Sequence, residues 1–251
     1  MTAAATPMAV DAVMRRTIIP GSRVCRARRA MIEEAGNLRP VIFAAVGLRS
    51  RKLNESLGEL CRAIAHRLTT VGPVPKDVQP YFGHMRRSVE TALAHQAPAR
   101  ATAGDYSQLL GSALNLEPRD PISQALARLS GPLPWYYHYE TRPGEADLST
   151  HIAFAELVGP DGDMDAPDCR VGFTLMAPDT FYPLHAHPAI ELYFVIAGTA
   201  EWRAGDTTRR VPPGELVLHR SSEPHSMRTF AEPLLALWSW SGDLDTPAYY
   251  L

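Results

Sequence analysis

HAHPAIELYFVIAG, residues 185–198, and VPPGELVLHRSSEPH, residues 211–225, carry the most structural information in this chain. The run from Ile190 to Ala197 is rich in β-branched and aromatic residues and closes on Gly198, which reads as a strand and its turn. Side chains two apart on a strand share a face, so His185 with His187, and Glu191 with Tyr193, converge if these strands wall a barrel. Imidazoles and a carboxylate in that arrangement suit a borderline divalent ion, Zn, Fe, Mn, Ni or Co, and leave coordination positions for a substrate. The ligand types do not choose among these metals. After the Pro-Gly turn a distal histidine, His225, completes an ordered pattern and is taken as a ligand. His219, at the end of LVL, reads as a surface residue or an outer donor and is left out of the set.

Working outward, the runs WYYHYE, HIAFAELVG, RVGFTLMA, TAEWRAG, LVLHR, HSMRTF and LLALWSWSG repeat the same grammar from Trp135 onward. Short apolar strands separated by Gly, Pro and Asp, with no helical period between them, predict an all-β sandwich or barrel. The first half reads differently. Leu53, Leu57, Leu60, Ile64 and Leu68 recur at helical spacing, and Phe82, Met85, Val89 and Leu93 form a second such stripe beyond a turn at Gly72-Pro73. Shorter helices are expected around Tyr106 to Leu114 and Ile122 to Leu129, with Asp105 and Ser123 near their starts. The expected organisation is a mobile arm over residues 1–30, a helical region over 31–130 and a metal-bearing barrel over 131–251. His66, His84 and His95 in the helical half have no local cluster and read as solvent or packing residues.

The 251 residues carry 25 basic and 27 acidic side chains, a formal charge of −2. So even a balance supplies no chain-wide basic field for phosphates, and no nucleic-acid partner is expected. The longest apolar run, VIFAAVGL at 41–48, is far short of the roughly 20 residues of a spanning helix, and no membrane partner is expected. The first residues lack the charged-then-apolar order of a secretory signal, so a cytoplasmic protein is expected. Cys25, Cys61 and Cys169 are scattered, which points to free thiols.

The two quoted segments resemble the paired motifs of the cupin superfamily. Residues from about Leu133 to Asp243, including LPWYYHY, IAFAELVGPDG, YPLHAHPAIELYFVIAGTAEWRAG, PHSMRT and PLLALWSWSGD, resemble more narrowly the bacterial cupin-type dimethylsulfoniopropionate (DMSP) lyases. The resemblance implies a double-stranded β-helical barrel with an N-terminal helical region. It implies one divalent transition metal held by His185, His187, Glu191 and His225, a catalytic tyrosine at Tyr193 and a second pocket tyrosine at Tyr182 with catalytic and substrate-binding roles. Trp240 matches a substrate-contacting aromatic. The implied reaction is β-elimination of DMSP to dimethyl sulfide and acrylate, and a homodimer is the candidate assembly.

DMSP carries a carboxylate at one end and a dimethylsulfonium at the other. Its difficult step is loss of a weakly acidic proton beside the carboxylate, which a Lewis-acidic ion on that carboxylate would ease. A tyrosine with a free pKa of about 10 serves as base once a neighbouring charge lowers it. Aromatic faces attract a sulfonium as they attract a quaternary ammonium. Trp240 is taken as such a contact, and Trp202 and Trp238 as packing residues. Alternatives with the same metal site are a cupin isomerase or dioxygenase on another small carboxylate or sugar, and a cupin that binds without turnover.

Overall fold

The leucine stripe of the first half forms the helix its spacing predicts. In the computed structural model residues 52–69 are helical (α1), and Leu57, Leu60, Ile64 and Leu68 are all buried. The structure describes residues 52–94, 104–129, 131–137, 139, 147–166 and 168–251. The expected arm over residues 1–30, Cys25 and His95 lie outside them. All described residues belong to one unit, Arg51–Leu251.

Three further helices follow: α2 (Gln79–Thr91), α3 (Ser107–Leu116) and α4 (Pro121–Ala127). Met85 and Val89 face the core from α2, but Leu93 has left the helix for a two-residue strand, β1 (Leu93–Ala94). Asp105 Oδ1 accepts from Ser107 N at 3.0 Å, as a residue beside a helix start does. Ser123 lies in the first turn of α4, near its start as expected. Asp120 caps that helix, accepting from Ile122 N at 2.8 Å, while Pro121 fills the first position, where a missing N–H costs nothing. Arg67 of α1 donates from Nε to the other oxygen of Asp120 at 2.7 Å and lies over the ring of Phe194, joining both helices to the sheet.

The remaining strands are β2 (Ile152–Val158), β3 (Met164–Asp165), β4 (Arg170–Met176), β5 (Phe181–Ala186), β6 (Ile190–Ala197), β7 (Ala200–Ala204), β8 (Thr207–Val211), β9 (Leu216–His219), β10 (His225–Thr229), β11 (Leu234–Ser241) and β12 (Tyr249–Tyr250). They form a seven-stranded sheet in the order β1-β3-β2-β4-β11-β6-β9 and a five-stranded sheet in the order β12-β5-β10-β7-β8. This is the expected cupin barrel with a helical layer. Within WYYHYE the described residues make one isolated bridge, Tyr136 to Phe154, rather than a strand.

The larger sheet is buried on both faces, which explains why its strands read as unbroken apolar runs. Leu192, Phe194, Ile196, Leu235 and Leu237 face the helices, together with Phe173 and Leu175. Their sequence neighbours Tyr193, Val195, Ala236 and Trp238 face the barrel interior. One alternation therefore feeds two cores, and a one-residue slip would drive Glu191 and Tyr193 into the helical layer. Among the described residues no helix is long and apolar enough to cross a membrane.

The turn after β6 fixes that register at Gly198, whose φ is +76°, a region that disfavours residues with a Cβ. A Cβ there would sit 1.9 Å from the Pro233 carbonyl oxygen. Gly198→Ala is expected to destabilise the protein by about 3 kcal/mol, combining left-handed backbone strain with overpacking. Thermal unfolding followed by circular dichroism measures it, and an unshifted midpoint would contradict the assignment.

Candidate metal centre

Strand pairing assembles the site from distant segments. β5 and β10 set His185 opposite His225. β6 and β9 set Glu191 opposite His219, and β6 and β11 set Glu191 opposite Trp240 and Tyr193 opposite Trp238. His187 lies just beyond the end of β5. All four histidines and Glu191 are buried.

Backbone carbonyls orient three of the imidazoles. Nδ1 of His185 donates to Pro183 O at 2.8 Å, Nδ1 of His187 to Ala189 O at 3.0 Å, and Nδ1 of His225 to Glu223 O at 2.8 Å. A neutral imidazole carries one N–H, so each of these rings is left with a bare Nε2. His187 Nε2 lies 3.1 Å and His225 Nε2 3.4 Å from Glu191 Oε2. Lone pairs facing one another at that range call for a positive charge among them, a proton or a cation.

The residues fit a metal. His187, Glu191 and His225 offer ligand atoms within 4.8 Å of one another, and His225 Nε2 is a buried acceptor with no hydrogen-bond partner. Ligand atoms about 2.0–2.2 Å from one ion stand at such separations, and carbonyl-anchored Nδ1 atoms are the usual support of metal-binding histidines. His185, the fourth ligand expected from the sequence, borders this group. Its ring stacks on Tyr182 at 4.0 Å and meets the edge of His225 at 4.0 Å.

Both oxygens of Glu191 are held from outside the group. Trp240 Nε1 donates to Oε1 at 2.8 Å, and its ring lies 4.3 Å from that of His187. His219 Nδ1 lies 3.1 Å from Oε2, so His219, set aside in the sequence reading, touches the Glu191 carboxylate directly. Nothing local announces this, because the contact spans 28 residues. Burial works to raise the Glu191 pKa, but His187 and the hydrogen bonds to its carboxylate outweigh this and hold it well below the usual carboxylate range. Burial works to lower His187, yet the Glu191 charge leaves it raised. Burial lowers His219 to about 4, and burial together with His225 holds His185 well below its ordinary value.

A cavity of about 270 Å³ opens on His185, His187, Glu191 and Trp240, slightly below the usual 300–1,000 Å³ of small-molecule pockets. Tyr193 enters from β6 with its hydroxyl 3.4 Å from Thr174 Oγ1. Burial and the Glu191 charge raise its phenol well above the ordinary tyrosine value. Tyr182 shares a very short hydrogen bond with Tyr139, a cavity residue the sequence reading did not single out. Trp238 packs against Gly172, yet it also lines the cavity and its Nε1 has no hydrogen-bond partner. At the far end Arg170 pairs with Glu156 at 2.7 Å and Asp161 at 2.6 Å, and donates from Nε to Leu244 O at 3.0 Å. That last bond ties down the segment Leu244–Ala248, which forms part of the cavity wall.

The family model described as dimethylsulfoniopropionate lyase matches residues 83–236. Dimethylsulfoniopropionate lyase DddQ of Ruegeria pomeroyi is 37% identical over 113 residues, which cover 45% of this chain and 56% of the relative. Putative dimethylsulfoniopropionate lyase DddL of Cereibacter sphaeroides is 38% identical over 138 residues, which cover 53% of this chain and 57% of the relative. The chain thus spans little more than half the length of these curated relatives. The crystal structure of DMSP lyase DddQ from Ruegeria pomeroyi superposes with a TM-score of 0.55 at 26% identity, covering 69% of this chain and 92% of that one. A chain from the crystal structures of the DMSP lyases RdDddP and RnDddQII shares the fold with a TM-score of 0.65 at 22% identity, covering 79% of this chain and 99% of that one.

Proposed function

Because the chain belongs to the dimethylsulfoniopropionate lyase family, we propose that it is a metal-dependent carbon–sulfur lyase that cleaves DMSP to dimethyl sulfide and acrylate with Tyr193 as general base. The observation that carries this reading is the convergence of His187, Glu191 and His225 beside a cavity that His187 and Glu191 line together with Tyr182, Tyr193 and Trp240.

A divalent transition-metal ion (Fe, Zn, Mn, Co or Ni) held by His187, Glu191 and His225, with His185 as the expected fourth ligand, would supply Lewis-acid polarisation of the substrate carboxylate and a positive charge favouring the Tyr193 phenolate. The protein's own groups divide the remaining work. Tyr193 takes the proton from the carbon beside the carboxylate. The electron pair of that C–H bond forms the new double bond, and the C–S bond breaks with its pair remaining on sulfur, so dimethyl sulfide leaves neutral. Trp240 offers the sulfonium an aromatic face, worth roughly 0.5–2 kcal/mol. Its N–H is engaged with Glu191, so one side chain steadies a ligand and walls the substrate. The Tyr182–Tyr139 hydroxyl pair, which also lines the cavity, supplies hydrogen bonds to the substrate. The proposed catalytic unit is the barrel, residues 131–251, working as a homodimer in the cytoplasm.

Gas-chromatographic detection of dimethyl sulfide, after incubating DMSP with protein reloaded separately with each of the five metals, tests the proposal. Metal-dependent release is expected. No release from folded, metal-loaded protein would refute the DMSP assignment and leave the site to another small carboxylate or sugar.

A further inference from the structure

We propose that His219 is a positioning residue for the metal centre, forming with Trp202 a relay that holds Glu191 Oε2 in place beside His187 and His225. The inference rests on the metal reading of His187, Glu191 and His225.

The direction of the relay follows from donor chemistry. Trp202 Nε1 lies 3.1 Å from His219 Nε2, and an indole N–H can only donate. His219 Nε2 must therefore accept, which excludes both the Nε2–H tautomer and the imidazolium. The one proton of the neutral ring is on Nδ1, 3.1 Å from Glu191 Oε2. Trp202 and His219 are both buried, so no solvent competes for either bond. His219 is thus barred from ligating through either nitrogen while the relay stands.

The carboxylate is consequently gripped at both oxygens. Trp240 occupies Oε1 from β11, and His219 occupies one lone pair of Oε2 from β9. What remains free on Oε2 faces His187 and His225. A carboxylate held at both oxygens is fixed in orientation, with Oε2 presented to His187 and His225. The His219 ring also stacks on His225 at 3.8 Å with 22° between the planes, which steadies a second ligand.

The test reads metal binding and tautomer rather than turnover. Full-length protein is stripped with a chelator and titrated with Co²⁺, following the d–d absorption, with affinity set by chelator competition. The unaltered chain is expected to bind one ion with a defined spectrum. His219→Leu should weaken binding by about 10–100-fold, the range for lost supporting residues, and alter the spectrum. His219→Asn places an amide N–H near the former Nδ1 and should recover most of the affinity. Trp202→Phe, which keeps an aromatic ring but no donor, should weaken binding less than His219→Leu. Long-range ¹H–¹⁵N correlation on Zn²⁺-loaded protein should show His219 as the Nδ1–H tautomer.

Unchanged Co²⁺ affinity and spectrum in folded His219→Leu would overturn the inference alone, as would an Nε2–H tautomer. If the unaltered chain binds no Co²⁺, the metal reading fails and takes the inference with it. If His219→Leu does not fold, Trp202→Phe and the tautomer assignment decide the matter: a wild-type titration in the former or an Nε2–H signal in the latter overturns the proposal.

Discussion

Replacing Tyr193 with phenylalanine is expected to lower the rate of dimethyl sulfide release by about 10²–10⁴-fold, the contribution of a positioned general base, while leaving metal content unchanged. The substitution removes one atom from a ring that is well packed where it does not face the cavity. Tyr193 meets Trp202 edge-on at 4.9 Å and stands opposite Trp238 and Val217 in the sheet. Its hydroxyl has a long contact, 3.4 Å, with the Thr174 hydroxyl and a hydrogen bond with the Glu191 carboxylate, so the stability lost with it is confined to these two interactions. The protein alone disfavours the phenolate: burial raises the pKa first and the nearby Glu191 charge adds to the effect. A phenolate so disfavoured becomes a strong base once a cation beside it compensates the charge. The loss should fall on kcat rather than KM, because the hydroxyl is proposed to act on the reacting proton and not to hold the substrate. Steady-state kinetics and elemental analysis of Tyr193→Phe check both parts, and retained activity would remove Tyr193 as the base.

What the sequence discloses about this fold follows burial. β6, β4 and β11 are visible because both faces are covered, so β-branched and aromatic residues run without interruption. β8, TTRRV, escapes notice because four of its five residues are exposed and give no apolar signal. β5, FYPLHA, is obscured by Pro183, whose missing N–H argues against a strand interior, although its carbonyl is the group that orients His185. The candidate ligand group is legible because HAHPAIE is local and His225 follows a recognisable turn. The supporting contacts are not. His219 and Trp240 reach Glu191 across 28 and 49 residues, through registers that no spacing within one segment encodes. Trp238 illustrates the same limit, since tryptophans at i and i+2 share a face whether that face is core or cavity wall.

His225→Ala is expected to reduce metal occupancy by more than about 100-fold, beyond the 10–100-fold typical of supporting residues. The residue occupies the start of β10, where pairing with both β5 and β7 fixes its backbone. Its Nδ1 is anchored on the Glu223 carbonyl, and its Nε2 is buried without a partner of its own. A buried acceptor left unpaired costs about 1–3 kcal/mol, and nothing else nearby recovers that cost as directly as a cation. The alanine variant removes this penalty together with the ligand, so the barrel should remain folded while the ion is lost. His187→Ala should behave similarly, because its Nε2 belongs to the same group. His185→Ala should retain more metal than either, since His185 borders the three gathered candidate ligands rather than joining them. Elemental analysis of the three variants, with circular dichroism as the folding control, gives the order directly. Full occupancy in His225→Ala would remove it from the ligand set, and equal depletion in all three would make His185 a ligand of the same rank.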